Sequence, residues 1–313
     1  PTRRSSDLDF GFFRNRINGS LDVYQRTSKD LIMERQLPST TGWTSVWDNI
    51  GKVRNTGLEL SINTINVQTS DFSWQTNIIF DTNKNEILEL YGGKKDDIGN
   101  KWFIGEAINV NYDYEFDGIW QTSEADKAAI YGQTPGQVKV KDQNHDNVID
   151  AKDKVILGQQ LPKWTGSITN TFTYKNWDLA FNVYTRQGAQ LNSTFVSSFM
   201  AYDGNYNQAK VDYWTETNPT NKYPQPGNKG KYFSSMCYQD VSFVRVGYIT
   251  LGYTFPMSLL KPIGIKRLKL YATANNPFLF TSFKGFDPEW ATQNTWGEAT
   301  STRTFLFGVK LAF

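Results

Sequence analysis

Cysteine and histidine are almost missing from this chain of 313 residues, which holds one of each, Cys237 and His145. A single cysteine builds no disulfide framework, and a lone thiol without an activating neighbour is ordinarily inert. A single histidine excludes Ser-His-Asp and Cys-His catalytic arrangements and Cys/His zinc clusters. No G-x-x-x-x-G-K-[ST] phosphate loop occurs,. An excess of one charge is missing as well. The 33 Lys and Arg against 31 Asp and Glu leave +2, so nothing selects nucleic acid or an acidic partner. No apolar run reaches the roughly 18 residues that a membrane-spanning helix needs, and the mean hydropathy is −0.53. That absence does not bear on a transmembrane β-barrel. Barrel strands alternate lipid-facing and lumen-facing residues, which keeps mean hydropathy low. Residues 1–8, "PTRRSSDL", contain no secretory h-region and read as an adapter-derived, non-native segment, so the fold is read on 9–313,.

What is present is period two. In "TFLFGVKLAF", Phe305, Phe307, Val309, Leu311 and Phe313 share one face, and Leu306, Gly308, Lys310 and Ala312 the other. Strict alternation of this kind marks a strand with one apolar face. Trp177, Leu179, Phe181 and Val183 alternate with Asp178, Ala180, Asn182 and Tyr184, and Leu58, Leu60 and Ile62 with Glu59, Ser61 and Asn63. In "VSFVRVGYITLGYTF" the phase shifts near Gly247, as a bulge would cause,.

Nine strands are predicted, at about 9–13, 17–30, 55–68, 72–88, 164–175, 177–190, 241–255, 266–281 and 302–313. Short connections fall at 14–16, 69–71, 175–176 and 256–265, and long ones at 31–54, 89–163, 191–240 and 282–301. Short on one side and long on the other is the pattern of an outer-membrane barrel with periplasmic turns and extracellular loops. The competing fold is a β-sandwich. Its strands usually run about 5–6 residues, and its loops rarely exceed about 15. The long strands and loops here favour the barrel.

One motif stands apart. "DQNHDNVIDAKD" (142–153) fits D-x-[DN]-x-[DN], with Asp142, Asn144 and Asp146 followed by the Val148 carbonyl, Asp150 and Asp153,. That spacing can curl six oxygens around a hard cation such as calcium. Asn147 stands where a sharp turn usually has glycine, and Asn tolerates positive φ best after glycine. Asp153 is shorter than the usual Glu, which implies weaker or smaller-ion binding. The flanks "QVKVK" and "KVILG" are not amphipathic helices, so the motif is no paired sensor. An ion-stapled loop and a solvated Asp/Asn turn both remain open, and the staple is the expectation carried forward.

The aromatics divide by position. Trp74 and Trp177 sit beside predicted turns and Trp164 at an outer strand end, as interfacial girdles require,. Trp43, Trp47, Trp102, Trp120, Trp214, Trp290 and Trp296 fall in predicted loops, where they either stack on a substrate or pack the loops' own cores,.

Three stretches carry a family resemblance. "NTGLELSI" (55–62), "PGQVKVKDQNHDNVIDAKDKVILGQQLPKWTGSITNTFTYKNWDLAFNVYTRQGAQL" (135–191) and "VSFVRVGYITLGYTFPMSLLKPIGIKRLKLYATANNPFLFTSFKGFDPEW" (241–290) resemble the C-terminal part of SusC/RagA-family TonB-dependent outer-membrane receptors. The likeness runs over about 9–313. It implies an all-β fold: about nine strands of a large antiparallel transmembrane barrel, with the N-terminal plug and first strands lying outside this chain. It implies a Gram-negative outer-membrane location, uptake of oligosaccharides or peptides, and no enzymatic activity. The implied partners are a SusD-like surface lipoprotein, TonB acting through the plug, and outer-membrane lipid. Phe313 would be the aromatic signal read by barrel-assembly machinery, and Glu59, Asp178, Asn182 and Lys269 would face the lumen. The runner-up from another class is a secreted, calcium-stabilised β-sandwich that binds carbohydrate.

Overall fold

The computed structural model describes residues 2–91, 93–202, 207–291 and 300–313. In chain order the strands are β1 (Thr2–Phe12), β2 (Ile17–Gln36), β3 (Ser45–Gln68) and β4 (Phe72–Leu90). The short β5 (Val110–Tyr114), β6 (Phe116–Ile119), β7 (Val138–Val140) and β8 (Lys154–Gln159) follow. Next come β9 (Trp164–Tyr174), β10 (Trp177–Gln187), and the short β11 (Gln190–Asn192) and β12 (Tyr238–Asp240). The last are β13 (Phe243–Thr254), β14 (Arg267–Thr281) and β15 (Thr304–Ala312).

Nine of these form one continuous antiparallel sheet in the order β1-β2-β3-β4-β9-β10-β13-β14-β15. Every neighbour in the sheet is the next long strand in the chain, so the wall is a simple meander. A single sheet removes the two-sheet sandwich. The six short strands pair among themselves in the loops, β5 with β8, β6 with β7 and β11 with β12.

Register turns the alternation of each strand into two chemically distinct faces. Leu179 pairs with Phe172 on one side and Leu251 on the other, Leu251 with Ala272, and Ala272 with Phe307. One residue along, Asp178 pairs with Gly252, Gly252 with Tyr271, and Tyr271 with Gly308. The first row is the lipid-facing side and the second the lumenal side. The phase shift read near Gly247 is a bulge, with the register slipping between Val246 and Tyr248.

Two boundaries differ from expectation. β1 begins at Thr2 rather than 9, so residues 2–8 are strand, with Leu8 paired to Leu21. The expected long connection 31–54 is largely strand: β2 runs to Gln36 and β3 starts at Ser45. Asp30 adopts φ 55 and the β2–β3 register slips on both sides of Leu31, which breaks the alternation that a sequence reading relies on,. Trp47 therefore belongs to a strand, not a loop.

Most of the buried apolar core lies outside the wall. A barrel wall is one layer thick, so its greasy residues face lipid, and a core forms only where loops pack on loops or on the wall. Ile119, Val138, Val140, Val196, Trp214, Tyr223, Phe233 and Cys237 belong to one such cluster, joining residues of the β4–β9 connection to residues of the β10–β13 connection.

Candidate functional site

The loops fold inward over the lumenal face. Val53, Ile87 and Leu90, on the lumenal side of β3 and β4, are buried under Trp102, Ile104 and Ile108. The Ile108 N–H donates to Asn85 Oδ1 at 2.9 Å, and the Ile87 N–H to the Glu106 carbonyl at 2.9 Å. Ala189, Leu191 and Val241 pack against Phe283 and Ala291, which brings in the β14–β15 connection. Three connections distant in sequence thus build one layer over the outer strand ends.

A buried ion cluster anchors the third connection, and the sequence reading missed it. Arg245 on β13 is 2% exposed and its Nη2 donates to Asp287 Oδ1 at 2.5 Å, with Glu289 Oε2 at 3.7 Å. Glu289 also meets Arg186 at 3.1 Å and accepts from the Tyr184 hydroxyl at 2.9 Å. Burial pushes the Asp287 carboxyl up. The Glu289 N–H, the Arg245 guanidinium and the Ser301 N–H more than offset this and hold it below the ordinary aspartate value,. The partners are 42 residues apart, so no local pattern announces them.

Of the predicted lumenal residues, Asp178 and Lys269 come together at 2.7 Å above Gly252. Asn182 donates to Ser167 Oγ and Thr169 Oγ1 at 2.8 and 2.9 Å. Glu59 stands in a row with Asp22 and Asp81 on adjacent strands, directly opposite both. The expected girdle residues fall at strand ends. Trp74 stacks on Phe172 at 5.6 Å, Trp177 meets Tyr253 at 4.8 Å, and Trp164 lies 5.8 Å from Phe80 at the other end. Phe313 follows β15 on the face shared by Phe307, Val309 and Leu311, and is exposed.

The loop tryptophans separate as packing demands. Trp120 and Trp214 are each 2% exposed, and their indole N–H groups donate to Gln133 and Gln121 at 3.0 Å, so they are loop core. Trp43 and Trp47 are exposed, and Trp290 is half-exposed with its N–H on Ser301 Oγ. Trp296 lies outside the described residues.

The acidic stretch is a chain of side-chain-to-backbone turns. Asp142 accepts from the His145 and Asn147 N–H at 2.7 and 2.9 Å and from the Tyr131 hydroxyl at 3.1 Å. Desolvation raises the Asp142 carboxyl, and these bonds together more than offset it, so it is held below the ordinary aspartate value. Asn144 and Asp146 accept from the N–H of Asp146 and Val148. Asp150 accepts from the Lys152 N–H at 2.7 Å. Asp153 is fully buried, with Oδ1 on the Gln143 N–H and Oδ2 on the Asp150 N–H, at 2.9 and 2.8 Å. Asn147 adopts φ 63, the left-handed conformation expected of it. Among the described residues no group of three or more His, Cys, Asp or Glu side chains is gathered as a metal cage.

An open cleft of about 520 Å³ lies between the three connections, lined by Trp102, Asn109, Asn111, Gln160, Asn192 and Tyr238 among others. No sequence signal pointed to it, because its walls come from positions up to 191 residues apart, Asn100 to Ala291.

The comparisons with known proteins agree with this geometry. The family model described as "TonB dependent receptor-like, beta-barrel" matches residues 3–277. TonB-dependent receptor P26 of Formosa agariphila is 31% identical over 298 residues, covering 90% of this chain and 30% of that protein. TonB-dependent receptor SusC of Bacteroides thetaiotaomicron is 30% identical over 324 residues, covering 100% and 32%. The structure of the RagAB peptide transporter superposes with a TM-score of 0.78 at 25% identity, covering 99% of this chain and 35% of that one. The chain therefore spans about a third of the length of the relatives it matches. One sheet with a lipid face and a lumenal face, capped by inward loops and matched along most of its length, identifies the chain as a member of the TonB-dependent receptor family, on its SusC/RagA side, forming nine strands of the outer-membrane β-barrel.

Proposed function

We propose that the receptor to which these strands belong imports a nutrient, an oligosaccharide or a peptide, across the outer membrane. The observation that carries this is the inward fold of three loops onto the lumenal face, which makes a shaped mouth instead of an open pore. The peptide alternative draws support from the likeness to the RagAB peptide transporter. A SusD-like surface lipoprotein would cover the loop layer, and TonB would act through a plug domain within the additional length that the relatives have. The chain's own chemistry is binding and passage, not catalysis. Its single histidine lies exposed in the acidic turn, where its backbone N–H donates to Asp142, and burial pushes the Cys237 thiol up to about 12.

The test is uptake. A strain lacking the gene should lose growth on one class of polymer, glycan or peptide, and regain it with the full-length gene. The purified receptor should require detergent and change electrophoretic mobility on heating. Undiminished growth on every glycan and peptide source would refute import, and a water-soluble, heat-indifferent protein would refute the barrel.

We further propose that calcium staples the acidic loop through Asp142, Asn144, Asp146, the Val148 carbonyl, Asp150 and Asp153. The donor set is all oxygen, which suits a hard cation. Asp153 already brackets the loop through two backbone N–H groups, so the ion would add to a turn that hydrogen bonds shape, and its binding would be weak.

A further inference from the structure

The short connections at the periplasmic end carry one sign of charge. In 13–16, 69–71, 175–176 and 255–266 stand Arg14, Arg16, Lys175, Lys261 and Lys266 against a single carboxylate, Asp71. The longest connection at the opposite end, 91–163, has the reverse balance, with 9 Lys and Arg to 12 Asp and Glu. We infer that the periplasmic rim of β9 to β15 binds anionic phospholipid of the inner leaflet, with an acyl chain in a groove on the lipid-facing side and phosphates on Lys175 and Lys266. This rests on the barrel and its orientation and is independent of the cargo.

The groove measures about 560 Å³ and is lined from β10, β13, β14 and β15. Ala272 forms its floor. Leu251 and Phe307 are the partners of Ala272 across the sheet, so one methyl group stands between two large side chains. Two residues nearer the periplasm, Leu270 stands between Tyr253 and Val309. Trp177 pairs with Tyr253 at the periplasmic mouth, their rings 4.8 Å apart. Trp177, Leu270, Phe307 and Val309 are exposed, and Ala272 is half-buried among them. Trp and Tyr gather at the level of the headgroups. The groove therefore starts at headgroup level and runs into the hydrocarbon, as an acyl chain does.

Two lysines flank that mouth on the same face. Lys175 Nζ lies 5.5 Å over the ring of Tyr174, and Tyr174 pairs with Trp177 in the lipid-facing row. The ammonium group is thus on the lipid side of the rim. The Lys266 N–H donates to the Ala312 carbonyl at 2.8 Å and extends the β14–β15 ladder by one residue. By alternation Lys266 shares the face of Leu268, Leu270 and Ala272. Both lysines are exposed, and neither forms an ion pair with a described residue. Arg16 differs, since its guanidinium donates to the Ile65 and Asn66 carbonyls, and it is assigned no lipid. In the 255–266 connection Met257, Leu259 and Ile263 are exposed, although Leu260 among them is buried. Apolar side chains interspersed with Lys261 and Lys266 are what a segment lying in the headgroup region presents. Lysine stems lie along apolar surface while the ammonium reaches the phosphates.

The experiment uses the full-length receptor in detergent and native mass spectrometry, with two probes of identical dioleoyl chains, phosphatidylglycerol and phosphatidylcholine. Phosphatidylglycerol should bind at the lower lipid concentration. Lys175→Gln and Lys266→Gln should each weaken it about fivefold, the worth of one basic side chain at an anionic surface, and leave phosphatidylcholine unchanged. Lys127→Gln and Lys210→Gln, exposed in the connections at the opposite end, should change neither lipid. Ala272→Phe fills the groove and should weaken both lipids in a receptor that keeps its heat-dependent mobility. Inorganic phosphate in excess should not displace the lipid, because the chain stays in the groove. Equal binding of the two lipids, or losses at Lys127 and Lys210 as large as those at Lys175 and Lys266, would overturn the inference. Displacement by phosphate, or binding indifferent to Ala272→Phe, would overturn the seating of the chain.

Discussion

Truncating Asp287 to alanine strands a buried charge. Arg245 is 2% exposed and Asp287 3%, at 2.5 Å. Removing one partner of a buried pair typically costs about 3–5 kcal/mol, much of it the penalty of leaving the other charge unpaired. Arg245 keeps Glu289 at 3.7 Å, so about 3 kcal/mol, the low end, applies here,. The loss falls on the attachment of the β14–β15 connection, because Asp287 also accepts the backbone N–H of Glu289 and Ser301 at 3.0 Å each. At about 1.4 kcal/mol per decade, the opening equilibrium of that segment should rise roughly a hundredfold. Hydrogen exchange by mass spectrometry on the detergent-solubilised receptor reads this directly, as faster exchange in peptides covering residues 287–291. Asp287→Asn keeps an acceptor and should give a smaller acceleration. Arg245→Met combined with Asp287→Ala should recover part of the protection, since no charge is then buried alone. Because the folded Asp287 carboxyl is held below its unfolded value, its contribution is complete above the ordinary aspartate pKa of about 3.9. It is lost only as pH falls through the lower folded value,. Protection corrected for intrinsic rate should therefore be flat from pH 7.5 to 5. Unchanged exchange in Asp287→Ala, or a double variant that opens more readily than the single one, would refute the reasoning.

Other outcomes follow from the same contacts. A Cβ on Gly57 would lie 2.5 Å from the Thr82 carbonyl oxygen and from the Tyr24 ring that rests over it, so Gly57→Val should lower the yield of assembled, heat-modifiable receptor severalfold. Cys237 is fully buried with its thiol raised to about 12, so maleimide at pH 7.5 should label it only after denaturation, and labelling of the native receptor would disprove its place in the loop core,. Calorimetric titration of the receptor with calcium should give heat that Asp142→Ala and Asp146→Ala abolish. Heat indifferent to both substitutions would remove the staple.

The nine strands were legible because alternation is local. Phe305 to Phe313, or Trp177 to Val183, declare two faces without reference to any other strand. The bulge at Gly247 was legible for the same reason, as a break in phase. The upper ends of β2 and β3 were not, since Asp30 and the slips around Leu31 scramble the phase. The left-handed turn at Asn147 followed from residue type alone. The roles of the loop tryptophans did not: Trp120 and Trp214 became core because two distant connections close on each other, and nothing near either residue states which surface it will meet.

The sequence by itself determined the two faces of each strand, lipid and lumenal, since each depends on residues i and i+2. Tertiary structure alone decided that Arg245 meets Asp287, that three loops fold inward, and that Trp102, Gln160 and Tyr238 share one cleft. Those are encounters between segments tens to hundreds of residues apart. The packing free energy that selects them belongs to the assembled layer, and no short stretch of chain contains it.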